Sequence, residues 1–419
     1  MDTSAIAPRR VREFRRALLA WFAHRRRAMP WRDAPTLYKT VVSEFMLQQT
    51  QVATVIPYFE RWLARWPDFH ALAAAAESNV VKAWEGLGYY SRARNLRRLA
   101  AAVAAMPAPP RAAADWQKLP GVGPYTAAAI ASIAGGEPVA VVDGNVVRVT
   151  ARLLADTREF ADTNAAAKAL ADAARALLDP DDPGSHNQAM MELGALVCRP
   201  RQPLCAECPV KAFCKSTTGG GESKRAGGGD GGVADGGVGS TGSAGSAAPG
   251  ATAGATASAD ALPPFFAPRQ IRHVAIARAW VVHAGRLLLY RHAGTARRLA
   301  GLRELPPLET LTDTSVPTAG TTGAAVPADT ASPVPPVLGR IAAATATTGG
   351  TVFLARRRRA ISNQQIEETF WQLTPTPALL RRIAANPALE WVALDALPAI
   401  TLSGPHRRWV SELLATKAL

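Results

Sequence analysis

The sequence predicts a mainly α-helical region joined to a smaller α+β domain, and three observations carry that expectation. From Val11 to Leu196 apolar residues recur at three and four positions, as in Phe14, Leu18, Trp21 and Phe22, among alanine-rich stretches punctuated by Pro and Gly. After Lys215 the composition turns abruptly to Gly, Ser, Ala and Thr, from Thr217 to Ala261, with few large apolar residues to bury. Beyond it, Val274–His283, Arg286–His292, Thr351–Ala355 and Glu368–Leu373 read as strands, and Pro405–Ala415 as a closing helix. At 419 residues the chain is long enough for about two or three domains. The boundaries follow: a helical region over 8–215, a linker over 216–264 expected to be disordered, and a C-terminal domain over 265–419 with a low-complexity insertion at about 310–336.

Charge narrows the partner. Lys and Arg number 48 against 33 Asp and Glu, for a formal charge of +15, which favours a polyanion such as nucleic acid over an acidic small molecule. No apolar run approaches the roughly 20 residues needed to span a bilayer. Met1–Pro8 has no apolar signal core, and the apolar residues after it alternate with arginines, so a cytoplasmic protein is expected.

The four cysteines, Cys198, Cys205, Cys208 and Cys214, fall in one short stretch spaced C-x6-C-x2-C-x5-C, unlike the scattered pairs of a disulfide framework. Pro200, Pro203 and Pro209 break helix there and favour a compact loop that turns four thiolates inward. Spacing alone leaves open an iron–sulfur cluster or a four-cysteine zinc site. Arg199, Arg201, Lys211 and Lys215 flank the loop and would give it a positive rim.

Between two helical patterns lies Leu119-Pro-Gly-Val-Gly-Pro-Tyr-Thr126. Gly121 and Gly123 permit a tight turn whose amides, with the start of the next helix, can face a DNA phosphate. The whole string marks a helix-hairpin-helix, a sign of DNA contact and not of chemistry. Next comes Val139-Ala-Val-Val-Asp-Gly-Asn-Val146, an apolar stretch ending in a carboxylate at a helix start. Asp143 is therefore a helix N-cap, a role compatible with catalysis.

Hairpin, turn, V-D-x-x-V and helix in that order resemble the endonuclease III superfamily. There the aspartate matching Asp143 stabilises the sugar cation formed as a base departs, and the cysteine spacing matches a [4Fe-4S] loop. The resemblance implies one such cluster and a monovalent cation at the hairpin. It also implies a six-helix barrel over about 34–136 and an iron–sulfur domain made of about 8–33 and 137–215. In members that cut the backbone, a lysine forming a Schiff base stands where this chain has Tyr125. A tyrosine cannot do this, so a monofunctional enzyme is expected.

Met29-Pro-Trp-Arg-Asp33 and Val42-Ser-Glu-Phe-Met-Leu-Gln-Gln-Thr-Gln-Val52 are similar to adenine DNA glycosylases of the MutY type. That resemblance makes Glu44 the acid that protonates the purine, in apolar surroundings of the kind that let a carboxyl keep its proton. As a lone residue Glu44 would read as the surface of an amphipathic helix. The pair would divide the work of glycosidic cleavage, an acid on the base and an anion near the sugar. Arg27, Trp31, Gln188 and Met191 then resemble residues around the extruded adenine, Arg32 resembles a residue that binds substrate or DNA, and Tyr125 and Asn145 resemble partners of the aspartate. Leu47, Gln49 and Tyr89 resemble residues that enter the duplex. Taken singly, Trp31, Leu47 and Met191 also suit a core. Arg92 and Arg94 are offered to phosphates. The implied partner is double-stranded DNA with adenine opposite 8-oxoguanine or guanine, bound by a monomer.

Gly301-Leu-Arg-Glu-Leu-Pro306 is similar to a turn in the Nudix-like C-terminal domains of this family. No glutamate-rich, magnesium-binding helix follows it, so a lesion-recognition module is expected instead of a pyrophosphatase. Its recognition loop would be Ala360-Ile-Ser-Asn-Gln364, where Ser362 is kept but Ile361 and Asn363 replace an aromatic residue and a histidine.

Overall fold

The structure is a computed structural model that describes residues 8–218, 270–294, 296, 299–312, 351–361 and 363–416. The expected linker from residue 219 on, the insertion from residue 313 on and Ser362 lie outside the described residues. In chain order the first part holds α1 (Pro8–Arg25), α2 (Leu37–Leu47), α3 (Val52–Arg65), α4 (Phe69–Ala74), α5 (Glu77–Ala83), α6 (Ser91–Ala104), α7 (Ala113–Trp116), α8 (Pro124–Ile133), α9 (Gly144–Leu154), α10 (Thr163–Leu177), α11 (Pro183–Leu196) and α12 (Lys215–Thr218). The C-terminal part holds β1 (Arg272–Trp280), β2 (Val282–His283), β3 (Arg286–Arg291), β4 (Arg303–Glu304), β5 (Thr351–Ile361), β6 (Gln364–Leu373), α13 (Pro377–Ala385), β7 (Leu389–Ala393) and α14 (Gly404–Ala415).

The helices begin where the chain offers caps. Asp68, Asp143, Asp162 and Asp182 each accept a backbone N–H from the residue three positions on, which satisfies amides that a helix start leaves without partners. The chain divides into two compact units, one of Met1–Thr40, Pro110–Lys118 and Val122–Pro268, the other of Val41–Pro109, Leu119–Gly121 and Arg269–Leu419. In the first, Phe14, Leu18 and Phe22 of α1 pack with Val146, Val149 and Leu153 of α9 and with Met190 and Leu193 of α11. Gly194 permits the close approach of α11 to α9, since a Cβ there would stand 2.6 Å from the Asn145 Cβ.

In the second unit Trp62 lies edge-on to Trp66 and Trp84, with ring centroids 4.7 and 5.4 Å away. The unit's C-terminal part has two sheets. One runs β1-β6-β5, with β1 parallel and β5 antiparallel to β6; in the other, β2, β4 and β7 all pair with β3. The expected strands and closing helix are present. Three elements were not expected, the first being the two-residue β4 inside the Gly301–Pro306 turn. The strand β7 is a short Leu-Glu-Trp-Val-Ala whose identity comes from pairing with β3, and α13 is one short helix capped by the Thr376 side chain.

The core between β1, β6 and α14 contains charge. Arg278 donates to Glu304 at 3.1 Å and to Glu368 at 2.7 Å, Arg359 donates to Glu368 at 2.6 Å, and the Ser403 hydroxyl to Glu304 at 2.7 Å. His406 Nδ1 accepts from the Leu305 amide at 3.0 Å. Glu304, the glutamate of the Gly301–Pro306 turn, is therefore part of a core ion network.

Candidate active site

The hairpin is shaped by its two glycines in different ways. Gly121 has φ +77 and a Cβ there would meet the Asn95 Cβ at 2.6 Å, so both its conformation and its surroundings demand glycine. Gly123 is the N-cap of α8, with Pro124 at the first helical position, and a Cβ on it would meet nothing within 4 Å. Its openness leaves the amide end of α8 accessible to an anion.

The chain then passes to Asp143 under control of a buried amide. Asn187 Oδ1 accepts the Val141 N–H at 3.0 Å while its Nδ2 donates to the Val139 carbonyl and to Ser132 Oγ, both at 2.9 Å. Asp143 caps α9: one oxygen accepts from the Val146 amide at 2.7 Å and the other from Asn145 Nδ2 at 2.8 Å. Asn145 Oδ1 in turn accepts from Arg148 Nη2 at 2.9 Å, and the same guanidinium donates to the carbonyls of Gly194 and Cys198, both at 2.8 Å. Burial pushes the Asp143 carboxyl up, and the hydrogen bonds from Val146 and Asn145 pull against it. The result is a half-buried carboxylate fixed in orientation at the positive end of a helix.

Two pairs of the expected site residues lie together. Arg32 Nε donates to Gln188 Oε1 at 3.0 Å, and the Tyr125 hydroxyl lies 3.6 Å from Met191 Sδ. Trp31 is buried. What joins Arg27 to Arg32 is Glu192, which sequence reasoning missed: Arg27 grips it with Nε at 2.9 Å and Nη2 at 2.8 Å, and Arg32 reaches it at 3.3 Å. Burial alone would raise the Glu192 carboxyl, but the two guanidinium groups hold it below the usual range. The available signal was a carboxylate one turn beyond Gln188 and next to Met191. Arg148 was missed too, because neither of its carbonyl partners is marked by residue type.

The four cysteines line one cavity together with Arg152 and Lys211. Arg152 Nη1 is 3.4 Å from Cys198 Sγ, and it ties the loop down by donating to the carbonyls of Arg199 and Pro200 at 2.7 and 3.0 Å. Burial, with the other cysteines adding to it, pushes the Cys208 thiol up to about 11. Four thiolates could share that space only with a bound cationic centre. Among the described residues, no three His, Cys, Asp or Glu side chains are grouped to hold a single metal ion.

In the second unit, Glu44 is buried at 6% exposure on α2, and its chain neighbours Val42, Ser43, Phe45 and Met46 are buried as well. Leu47, the last residue of α2, is half-buried, and Gln49 and Tyr89 are exposed. The expectation for Arg92 and Arg94 needs correction. Arg92 is buried at 8% exposure and donates to main-chain carbonyls, while Arg94 is bound to Glu77 at 3.0 Å and to the Ala300 carbonyl. Neither guanidinium is spare for a phosphate. The same loop is fastened to the C-terminal part: Glu85 accepts from the Leu402 amide and from Arg407 Nε, both at 2.9 Å, and the Tyr90 hydroxyl donates to the Leu402 carbonyl at 3.0 Å.

Comparison with known proteins bears on this arrangement. Residues 42–185 match the family described as HhH-GPD superfamily base excision DNA repair protein, a span that contains Glu44, the hairpin and Asp143. The chain is 47% identical over 221 residues to the adenine DNA glycosylase of Rattus norvegicus, covering 49% of this chain and 42% of that one. It thus spans about two fifths of that relative's length. A solved thermostable thymine-DNA glycosylase is 28% identical, with a TM-score of 0.46, over 50% of this chain and 98% of that one. The adenine DNA glycosylase of Mycobacterium tuberculosis (strain CDC 1551 / Oshkosh) is 38% identical over 212 residues, which cover 50% of this chain and 69% of that protein. A match over most of a relative's own length settles the kinship: this chain belongs to the family of adenine DNA glycosylases.

Proposed function

We propose that this chain hydrolyses the N-glycosidic bond of adenine opposite 8-oxoguanine or guanine in double-stranded DNA and leaves an abasic site. The observation that carries the reading is the setting of Asp143, a carboxylate capped, oriented and still half-open just beyond a DNA-binding hairpin. Glu44, buried on an apolar helix, protonates the adenine and makes it a leaving group. Asp143 stabilises the positive sugar by charge, held in place so that little reorganisation is needed as the bond breaks. Tyr125 has no amine to form a Schiff base, so the backbone is not cut. Trp31, Gln188 and Met191 line the adenine pocket, with Arg27 and Arg32 locked by Glu192, and Leu47, Gln49 and Tyr89 enter the duplex.

The four cysteines hold a [4Fe-4S] cluster, whose part is structural, with the basic rim around it facing phosphate. A soft, all-thiolate set around one cavity suits that group. The C-terminal domain is a Nudix-like module that reads the base opposite adenine. Visible absorbance of the purified chain tests the cluster, and a colourless protein containing zinc would refute it.

The test of the whole reading is a duplex with adenine opposite 8-oxoguanine. Wild type should yield an alkali-labile site, and Glu44→Gln should slow the single-turnover step by about 10²-fold or more. Absence of adenine release by wild type would overturn it. Strand cleavage without added base would point to a glycosylase with lyase activity.

A further inference from the structure

Gln49 and Tyr89 lie on two loops, one after α2 and one before α6, and in both the backbone is left-handed at a residue that is not glycine, with φ +55 at Gln49 and +48 at Tyr89. Such backbone is strained for a residue with a side chain and persists only when its surroundings impose it. One side chain touches both loops. Arg92 Nη1 donates to the carbonyls of Phe45 at 2.9 Å, Met46 at 3.2 Å and Gln48, which close the end of α2. Its Nη2 donates to the carbonyls of Leu87 at 3.2 Å and Gly88 at 3.4 Å, and to the Thr50 hydroxyl at 3.3 Å. The guanidinium carbon also lies 5.5 Å from the Trp84 ring centroid and 5.4 Å from that of Tyr89.

A buried cation held by main-chain carbonyls and a hydroxyl is an expensive way to fill space, and only a planar fork reaches so many acceptors at once. We propose that Arg92 is a positioning residue that joins the Gln48–Thr50 and Leu87–Tyr89 loops into one rigid element, so that Gln49 and Tyr89 meet the duplex as a pair. The inference rests on the reading of those two residues as the ones that enter DNA. Arg92 itself touches no nucleotide in this scheme.

A double-mutant cycle on the full chain tests it, comparing wild type, Arg92→Lys, Gln49→Ala with Tyr89→Ala, and all three changes together. Two signals are read: fluorescence of 2-aminopurine placed beside 8-oxoguanine, which rises when the stack is opened, and single-turnover adenine release. Lysine keeps the charge and loses the fork. Arg92→Lys should abolish most of the fluorescence rise and slow release by about tenfold or more, with circular dichroism confirming a folded protein. In the Gln49→Ala, Tyr89→Ala background it should add less than about threefold.

Effects that multiply in that background would reduce Arg92 to a general stabiliser and overturn the proposal. A wild type that releases adenine without a fluorescence rise would also overturn it while leaving the proposed activity intact. A fluorescence rise without adenine release would support the loop pairing and sink the activity. If Arg92→Lys does not fold, Thr50→Val, which removes the hydroxyl that accepts from Arg92 and donates to the Gln48 carbonyl, carries the same cycle with an effect of about threefold, and multiplicative behaviour there is equally fatal.

Discussion

Two polar networks in this chain are built from similar parts and end differently. Around Asp143, contacts pass through Asn145 to Arg148 and on to the Gly194 and Cys198 carbonyls, and the carboxylate at the head of the chain stays half-buried. In the C-terminal core, Arg278, Glu304, Glu368, Ser403 and His406 are all at most 4% exposed, and the carboxylates bond to Arg278 and Ser403 there and to the half-buried Arg359 and His292 at its edge. The first network aims a charge outward. The second turns its carboxylates inward, each held by at least one arginine. A buried glutamate is therefore no sign of chemistry until one asks whether its network opens to solvent.

The comparison can be broken most sharply from the closed side. Glu368→Gln leaves Arg359 without its core carboxylate and Arg278 with Glu304 as its one remaining charge partner, which should cost about 3 kcal/mol of stability. Calorimetry should show this as a lower melting transition, with little change in single-turnover adenine release well below it. An unchanged melting profile would mean that the network is not the closed one described. From the open side, Arg148→Met removes the group that orients Asn145 and should slow adenine release by about 10–100-fold, an effect typical of losing the support of a functional ligand. A rate equal to wild type would show that Asn145 and the helix cap suffice to aim Asp143.

The smallest effect comes from a group in neither network. His186 is buried at 2% exposure, and burial lowers its pKa from 6.5 to about 4. The folded state therefore binds its proton later than the unfolded state does as pH falls. Stability is unaffected above about pH 6.5 and is lost between there and pH 4, by about 2 kcal/mol at pH 5. Denaturant unfolding at pH 7.5 and pH 5 should show that loss in wild type and a flatter profile in His186→Phe. Equal profiles would place the acid sensitivity elsewhere.

The amino-acid sequence alone determined what depends on neighbours within a turn or two. The capping of α9 by Asp143, the left-handed turn at Gly121, the Cys198–Cys214 spacing and the apolar runs that become β1 and β6 all have their causes inside a few positions. Tertiary structure decided what depends on partners far along the chain. Glu192 meets Arg27 across 165 positions, Arg148 meets Cys198 across 50, and Arg92 reaches back 47 to Phe45. The strand β7 is likewise defined by β3, about a hundred positions before it. In the sequence Arg92 is one more arginine on a basic helix, and phosphate is the natural partner to assign it. A main-chain carbonyl carries no residue-specific mark, so an arginine that serves carbonyls can be recognised only once the chain has folded around it.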